Sequence, residues 1–427
     1  FENGVGDLCS ITDDVWVSPD GDDNNLGTSE AEAFLTIKRA LEMIAPQDDD
    51  PVTIFLTEGT FSPSTTGEEF PILMISNVNL IGQGEEVTII DAQQTGRVIT
   101  MENCDNNTIS DLTLTGGLVF DELGSLEACG SGVYLSYSNP ILTHITISAS
   151  TATFKGGGIY MSHSAPTLTY VTITDNIAKH GGGMYLSSSN PTLTHIIIID
   201  NTADDGTGGG MVLWGSHPII THLIINDNIA GGIGGGGISL ESSHPTISNV
   251  NIGGNRADNG VGGGMRLSNS SPTLTHVTIS RNMASNGGGI YLQTTGNTGN
   301  YKPTLINSIV WNNSPESIDI GSNQEAIITY SDIEGGWGGE GNIDADPLFV
   351  DSENGDYTLQ EGSPCIDTGN LNLWYEDLDG TASEMGATGG SSILPNFINH
   401  DFGEVGDIGS SKQFTLYNYR ETPITIS

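Results

Sequence analysis

Four sets of side chains in this sequence have the types and spacing that chemistry needs. The first is acidic. "DGDDNN" brings together Asp20, Asp22 and Asp23, and "DSENGD" does the same for Asp351, Glu353 and Asp356. Carboxylate oxygens gathered on short loops are the ligands a hard cation takes, so calcium is the cofactor this sequence suggests. "DLDG" adds Asp377 and Asp379, although none of these loops has the full spacing of a helix-loop-helix calcium site. The second set is a column of tyrosines, Tyr134, Tyr160, Tyr185 and Tyr291, in which Arg266 takes one of the intervening places. Exposed rings at a regular spacing can stack on sugars or pack on a partner; they can equally form a ladder with no ligand. The third is His144, His195, His222 and His276, each four residues after a proline. Imidazoles in a column invite metal ligation, but Tyr170, Asn249 and Asn307 hold the same place elsewhere, which favours stacking at a corner. The fourth is a pair of thiols, Cys104 and Cys129, 25 residues apart and expected to meet as a disulfide.

Two kinds of catalysis on polysaccharides can be weighed against these residues. Elimination beside a uronate needs a base, often with calcium to neutralise the carboxylate. Basic residues on the repeat are few, Lys155, Lys179, Arg256, Arg266, Arg281 and Lys302, none with a distinctive acidic cluster beside it; Arg256, Arg266 and Arg281 are the candidates. Hydrolysis needs two carboxylates across a glycosidic bond. Asp204, Asp205, Asp227 and Asp258 are available, yet nothing marks two of them as special, and all suit solvated turns. "GGIGGGG" from Gly231 satisfies a dinucleotide-binding glycine pattern on paper, but short strands follow it where a helix is required. That match is rejected.

The elements that must position these residues come from an internal repeat. Glycine triplets begin at Gly156, Gly181, Gly208, Gly235, Gly262 and Gly287, after a degenerate "GSG" at Gly130, at spacings of 25 to 27 residues. Prolines (Pro140 through Pro272, then Pro303) and asparagines (Asn176, Asn201, Asn228, Asn255, Asn282, Asn313) keep the same beat. Within a unit, "GMYL", "PTLT" and "VTIS" alternate apolar and polar residues, which reads as three short strands separated by turns. None is placed to form a hairpin. Each can pair in parallel with its copy one unit away, at about 4.8 Å per layer. The expected fold is therefore all-β: a right-handed parallel β-helix with three-strand coils of 25–27 residues. Met184, Leu186, Leu193, Ile196 and Ile198 should point inward, and Tyr185, Thr192 and Thr194 outward. The asparagines should stack at one corner. The glycines should form the corner that leads into each first strand.

Both ends depart from the repeat. Phe34, Ile37, Leu41 and Ile44 share a helical face behind Thr36 as N-cap, which predicts a capping helix over the first coil. The organisation read from the sequence is an N-terminal strand and capping helix (1–50), the β-helix (51–335), a closing segment (336–395) and a short C-terminal β segment (396–427).

Fifty-three acidic against eleven basic residues give a formal net charge of −42. Such a surface repels phosphate backbones and anionic bilayers, which excludes nucleic acid as a partner. No apolar run reaches the ~18 residues of a membrane span, so membrane insertion is not expected. The missing initiator Met and signal peptide read as a processed form or a fragment.

Three resemblances follow from quoted segments. "VSPDGDD", "FLTIKRAL", "VTIFLTEGTFSP" and "VNLIGQGEEVTIIDA" resemble the opening module of uncharacterised bacterial β-helix proteins. "DADPLFVDSENGDYTLQEGSPCIDTGN" resembles the closing segment of secreted β-helix proteins of the choice-of-anchor Q type. Residues 396–427 resemble the first strands of an immunoglobulin-like surface module, here without its remaining strands. More distantly, the repeat is similar to the pectate-lyase-like superfamily, which hosts lyases, hydrolases, adhesins and phage tailspikes. These resemblances imply a secreted or cell-surface bacterial protein. The expected function is a non-catalytic adhesive or structural role. Its expected partners are polysaccharide or neighbouring copies joined through the C-terminal β segment. A polysaccharide lyase or glycoside hydrolase is the alternative.

Overall fold

The computed structural model describes residues 11–48, 50–121, 128–293, 301–321, 324–372, 375 and 381–389, and the backbone of strands Ile393–Pro395 and Leu416–Asn418. Short alternating segments that cannot pair within their own unit pair across units, and the result is three parallel sheets of sixteen, ten and six strands. The coil that opens at Gly181 is representative. Met184–Ser187 joins the ten-stranded sheet, Thr192–Ile199 the sixteen-stranded sheet and Thr202–Ala203 the six-stranded sheet. Each aligns with its copy one coil on, Met184 with Met211, Leu193 with Ile220 and Ala203 with Ala230. The five side chains expected inside, Met184, Leu186, Leu193, Ile196 and Ile198, are all fully buried in one continuous core.

The strands differ from the expected three in one respect. "PTLT" and "VTIS" belong to a single eight-residue strand bent at the residue between its halves, and the third strand is the dipeptide after each ladder asparagine. The bend is one left-handed residue: Tyr170, His195, His222 and Asn249 all have φ of 53–54°. His and Asn tolerate that region better than most side chains. The rings then stack up the column, His144 on Tyr170 at 5.0 Å, Tyr170 on His195 at 4.7 Å and His195 on His222 at 4.8 Å. The histidine column is a stacked corner.

Two further ladders hold the coils in register. Each ladder asparagine donates its amide to the Oδ1 of the next, as Asn201 does to Asn228 and Asn228 to Asn255, both at 3.0 Å. A serine ladder, unnoticed in the sequence, runs through Ser138, Ser164, Ser189, Ser216, Ser243 and Ser270. Each hydroxyl oxygen accepts the backbone N–H of the coil before it at 3.0–3.1 Å. The glycine triplets sit where expected. Gly208 has φ +66°, and a Cβ on Gly209 would lie 2.5 Å from the Ile229 carbonyl oxygen.

At the N-terminal end, helix α1 (Ile37–Met43) starts at Thr36, whose hydroxyl accepts from the Arg39 N–H. In chain order α1 stands where other coils place a strand of the ten-stranded sheet, and Phe34, Ile37 and Ile44 are buried beneath it. The Glu68 carboxylate accepts from the N–H groups of Ile37 and Lys38. Burial raises its pKa to about 6. At the other end, the described residues of 344–372 and 381–389 lie back across the outer face of the sixteen-stranded sheet. Arg281 donates to the carbonyls of Ser352 and Glu353, Asn249 to those of Ala387 and Gly389, and buried His276 meets Ser383 Oγ at 2.5 Å. Gly253 leaves room for Tyr357, since a Cβ there would lie 2.1 Å from the phenol oxygen. The expected immunoglobulin-like segment lies outside the described residues, apart from the antiparallel pairing of Ile393–Pro395 with Leu416–Asn418. No helix among the described residues is long and apolar enough to cross a membrane.

Candidate functional site

The outer face of the ten-stranded sheet carries the most varied chemistry on the solenoid. Its strands repeat every coil, so residues two apart project outward as two columns. One runs Tyr134, Tyr160, Tyr185, Val212, Ser239, Arg266, Tyr291; the other runs Ser136, Ser162, Ser187, Trp214, Glu241, Ser268, Gln293.

The tyrosines are not the exposed platform expected of them. Tyr134 and Tyr160 stack at 5.5 Å, Tyr160 and Tyr185 at 5.8 Å, and Tyr160 and Tyr185 are only 2% and 6% exposed. Tyr160 has a ring on each face, and Tyr134 and Tyr185 each turn one face to it. With Cys129, Val212 and Phe154 they make a second apolar cluster outside the main core. Burial pushes the Tyr160 phenol up to about 12. Cations close this cluster, Arg97 at 4.5 Å over the Tyr134 ring and Lys155 at 4.5 Å over Tyr185. Cation–π contacts of this kind need partial desolvation to matter, and the Lys155 ammonium has it: burial lowers its pKa.

Past Tyr185 the ladder breaks, and the face opens. Trp214 and Glu241 replace serines in adjacent coils, and Trp214 is 49% exposed. Lys155 lies 5.8 Å from the Trp214 ring. Arg266, largely buried, donates Nη1 to Ser239 Oγ at 3.4 Å and pairs with Glu241 at 3.8 Å, while its Nε has no hydrogen-bond partner. Burial lowers the guanidinium pKa. His180 flanks this group with Nδ1 accepting from the Thr207 N–H at 3.3 Å. Burial, with Lys179 and Lys155 nearby, brings its pKa to about 4, so it is neutral at physiological pH. An open indole, a carboxylate and a guanidinium on three successive coils, with an ammonium beside the indole and serine hydroxyls between, suit a ligand rich in hydroxyl groups. Tyr291, one coil beyond Arg266, is half-buried on the same face.

Several expected constellations do not assemble. Cys104 and Cys129 are both buried but in separate surroundings, with no disulfide between them. Cys104 aligns with Ser138, 34 residues on, and Cys129 with Lys155, 26 residues on, so the coil between them is too long for their 25-residue spacing to return to one corner. Cys104 Sγ turns to the Met74 carbonyl, while Cys129 packs outside among the tyrosines. The three arginines occupy three places: Arg256 pairs with Asp258 in the six-stranded sheet, Arg266 projects from the ten-stranded sheet, and Arg281 holds the C-terminal segment. Among the described residues no three His, Cys, Asp or Glu side chains converge as a metal cluster. Asp23 accepts from Leu35 and Thr36 N–H at the start of α1, and Asp22 accepts from Asn24; Asp20 remains on the exposed turn before them. Asp351 accepts from Asn354, and Asp356 from Thr358. Glu353 meets Arg281 through its backbone carbonyl. Asp22, Asp23, Asp351 and Asp356 thus serve as turn and cap acceptors. Asp377 and Asp379 lie outside the described residues.

Sequence reading missed Trp214 and Glu241, and took Lys155 only as one of the few basic residues of the repeat. The available signal was the break in repeat: a tryptophan and then a glutamate interrupt a column that reads serine at Ser136, Ser162, Ser187 and Ser268.

Three parallel sheets wound around one core, with a mixed polar and aromatic outer face, define the parallel β-helix class. The family described as "Right handed beta helix region" matches residues 73–252 and 169–302, more than half of the chain, and the chain belongs to that family. No curated protein matches its sequence. Among solved structures it is similar to pectate lyase Pel9A (14% identity, TM-score 0.50), covering 89% of this chain and 96% of that one. It is also similar to the pectin methylesterase PemA from Erwinia chrysanthemi (14%, TM-score 0.37, 82% and 99%). A third is XylC in complex with xylose (8%, TM-score 0.45, 79% and 87%). At these identities the likeness shows the fold alone.

Proposed function

We propose that this chain is an extracellular, non-catalytic β-helix that holds an uncharged polysaccharide strand on the outer face of its ten-stranded sheet, around Trp214. The observation that carries this reading is the group Lys155, Trp214, Glu241 and Arg266 at the point where the tyrosine ladder stops. The open indole is a surface for a sugar ring, and the charged groups and serines beside it offer hydrogen bonds to hydroxyls. The formal charge of −42 disfavours polyuronates, which would approach a repelling field. Attachment is favoured over turnover because the charged partner of Glu241 is an arginine, where hydrolysis would require a second carboxylate.

The test is affinity electrophoresis of the full chain in gels cast with neutral glucans, xylans and mannans, beside polygalacturonate and alginate. Retardation by a neutral glycan that is abolished in Trp214→Ala supports the reading. No retardation by any neutral glycan overturns it. New reducing ends or unsaturated uronate products would replace it with a polysaccharide-active enzyme.

A further inference from the structure

The residue before each repeat proline forms a column at the turn between the ten- and sixteen-stranded sheets, and at Asn139, Asn190, His217, His244 and Ser271, though not at Ala165, its side chain accepts from the backbone of the following coil. Asn139 Oδ1 accepts the Ala165 N–H at 2.7 Å, and Asn190 Oδ1 accepts the His217 N–H at 2.6 Å. In the next two coils imidazoles take over. His217 Nδ1 accepts the His244 N–H at 2.9 Å, and His244 Nδ1 accepts the Ser271 N–H at 3.0 Å. Ser271 Oγ then accepts the Lys302 N–H at 2.9 Å. A ring nitrogen that accepts a backbone N–H carries no proton, so both imidazoles are neutral with the hydrogen on Nε2. Of the acceptors in this column, only these two can be removed by a proton.

We propose that His217 and His244 form an acid-sensitive joint between three successive coils. Protonation puts an N–H on Nδ1 facing the backbone N–H it used to accept, in both coils at once. The two rings also stack at 5.1 Å and within 8° of parallel, so both protonations would place two cations face to face. Among the described residues, the titratable rings packed on these imidazoles are each other and the Tyr301 phenol, whose ring centre lies 6.0 Å from that of His244. Neither forms an ion pair with a described carboxylate that would hold the charged form. Burial, and then His217, push the His244 pKa below its usual value, which agrees in direction with this loss. The sign follows. The folded joint prefers neutral rings, so its contribution is complete above the ordinary histidine range and lost as pH falls through it. His217 and His244 come three residues after Trp214 and Glu241, so release would loosen the turns that follow both side chains. Only this last consequence depends on the proposed glycan site.

Hydrogen exchange on the full chain separates the two ideas, because it needs no ligand. Protection factors of the His244 and Ser271 amides are compared at about pH 7.5 and about pH 5, either side of the histidine range. They should fall by about three- to tenfold at the lower pH, the worth of one backbone acceptor. The amides of Ala165 and His217, held by asparagines, should not change. The double substitution His217→Asn and His244→Asn installs the acceptor already used at Asn139 and Asn190, and should hold protection at both pH values. Equal protection in the native protein at both pH values, or the same fall in the double variant, overturns the proposal. Imidazole nitrogen shifts of the native chain give a second check that requires no variant: an Nδ1–H tautomer at neutral pH overturns it, and an Nε2–H tautomer supports it.

Discussion

Asn228 offers the sharpest test of what holds the coils together. Its Oδ1 accepts from both the backbone N–H and the side-chain amide of Asn201, each at 3.0 Å. Its amide donates to the carbonyls of Ile198 and Asn226 and to Asn255 Oδ1, at 2.8–3.0 Å. The side chain is fully buried. At about 1 kcal/mol net per hydrogen bond, with partial relaxation of the partners, Asn228→Ala should cost about 3–5 kcal/mol. Asn228→Asp keeps the shape but turns three donated bonds into repulsions between acceptors, and adds a buried charge without a partner. It should therefore be the worse of the two despite the smaller change in volume. Denaturant unfolding followed by circular dichroism measures both. Because a solenoid is stabilised by nearest-neighbour contacts, hydrogen exchange should show the loss concentrated in the coils from Asn201 to Asn255. An Ala variant within about 1 kcal/mol of native, or an Asp variant at least as stable as the Ala variant, would refute the ladder as a principal source of stability.

Two further outcomes are expected. Gly209→Val places a Cβ 2.5 and 2.6 Å from the carbonyl oxygens of Ile229 and Gly236, and should destabilise by at least the ~1–3 kcal/mol typical of overpacking. Gly338→Ala, where nothing lies within 4 Å, is the control; equal melting of the two variants would count against the steric account. Alkylation of the unreduced, unfolded chain should label both Cys104 and Cys129, and a disulfide-linked peptide joining them would contradict the two separate environments found for these thiols.

How much was legible in the sequence depends on whether a residue acts with its copies or alone. Asn201 and Asn228, Met184 and Leu186, and the glycine triplets each repeat a chemistry that only stacking explains, so their positions followed from spacing. Thr36 and the face of α1 were readable because a helix N-cap is a local signal. Cys104 and Cys129 misled because spacing was used where the local coil length differs: a 34-residue coil intervenes where 25–27 is the rule. The tyrosines misled for another reason. Alternation says that Tyr160 points away from the core, but not that its neighbours cover it. The return of Tyr357 and Ser383 to Gly253 and His276 was invisible for the same reason, since it is a contact between segments with no shared pattern.

That distinction also bears on where a ligand can sit. In a solenoid each aromatic side chain in a regular column meets its copy about 4.8 Å away, so its faces are already occupied. Tyr134, Tyr160 and Tyr185 show this on one sheet, and Tyr170, His195 and His222 on another. Regularity therefore removes the surfaces that a sugar ring would use, and binding capacity arises where a column stops. On the ten-stranded sheet the tyrosine column stops at Val212, and the serine column beside it stops in the same coil, at Trp214. Both breaks coincide with the cation of Lys155 and the Glu241–Arg266 pair. Two neighbouring columns failing in one coil, with a cation beside it and an ion pair across the next two coils, is what a site built onto a repetitive scaffold requires. The same reasoning says that Tyr160→Phe should leave glycan affinity unchanged, while Trp214→Ala should abolish it. Loss of affinity in the tyrosine variant at unchanged stability would place the ligand on the ladder after all.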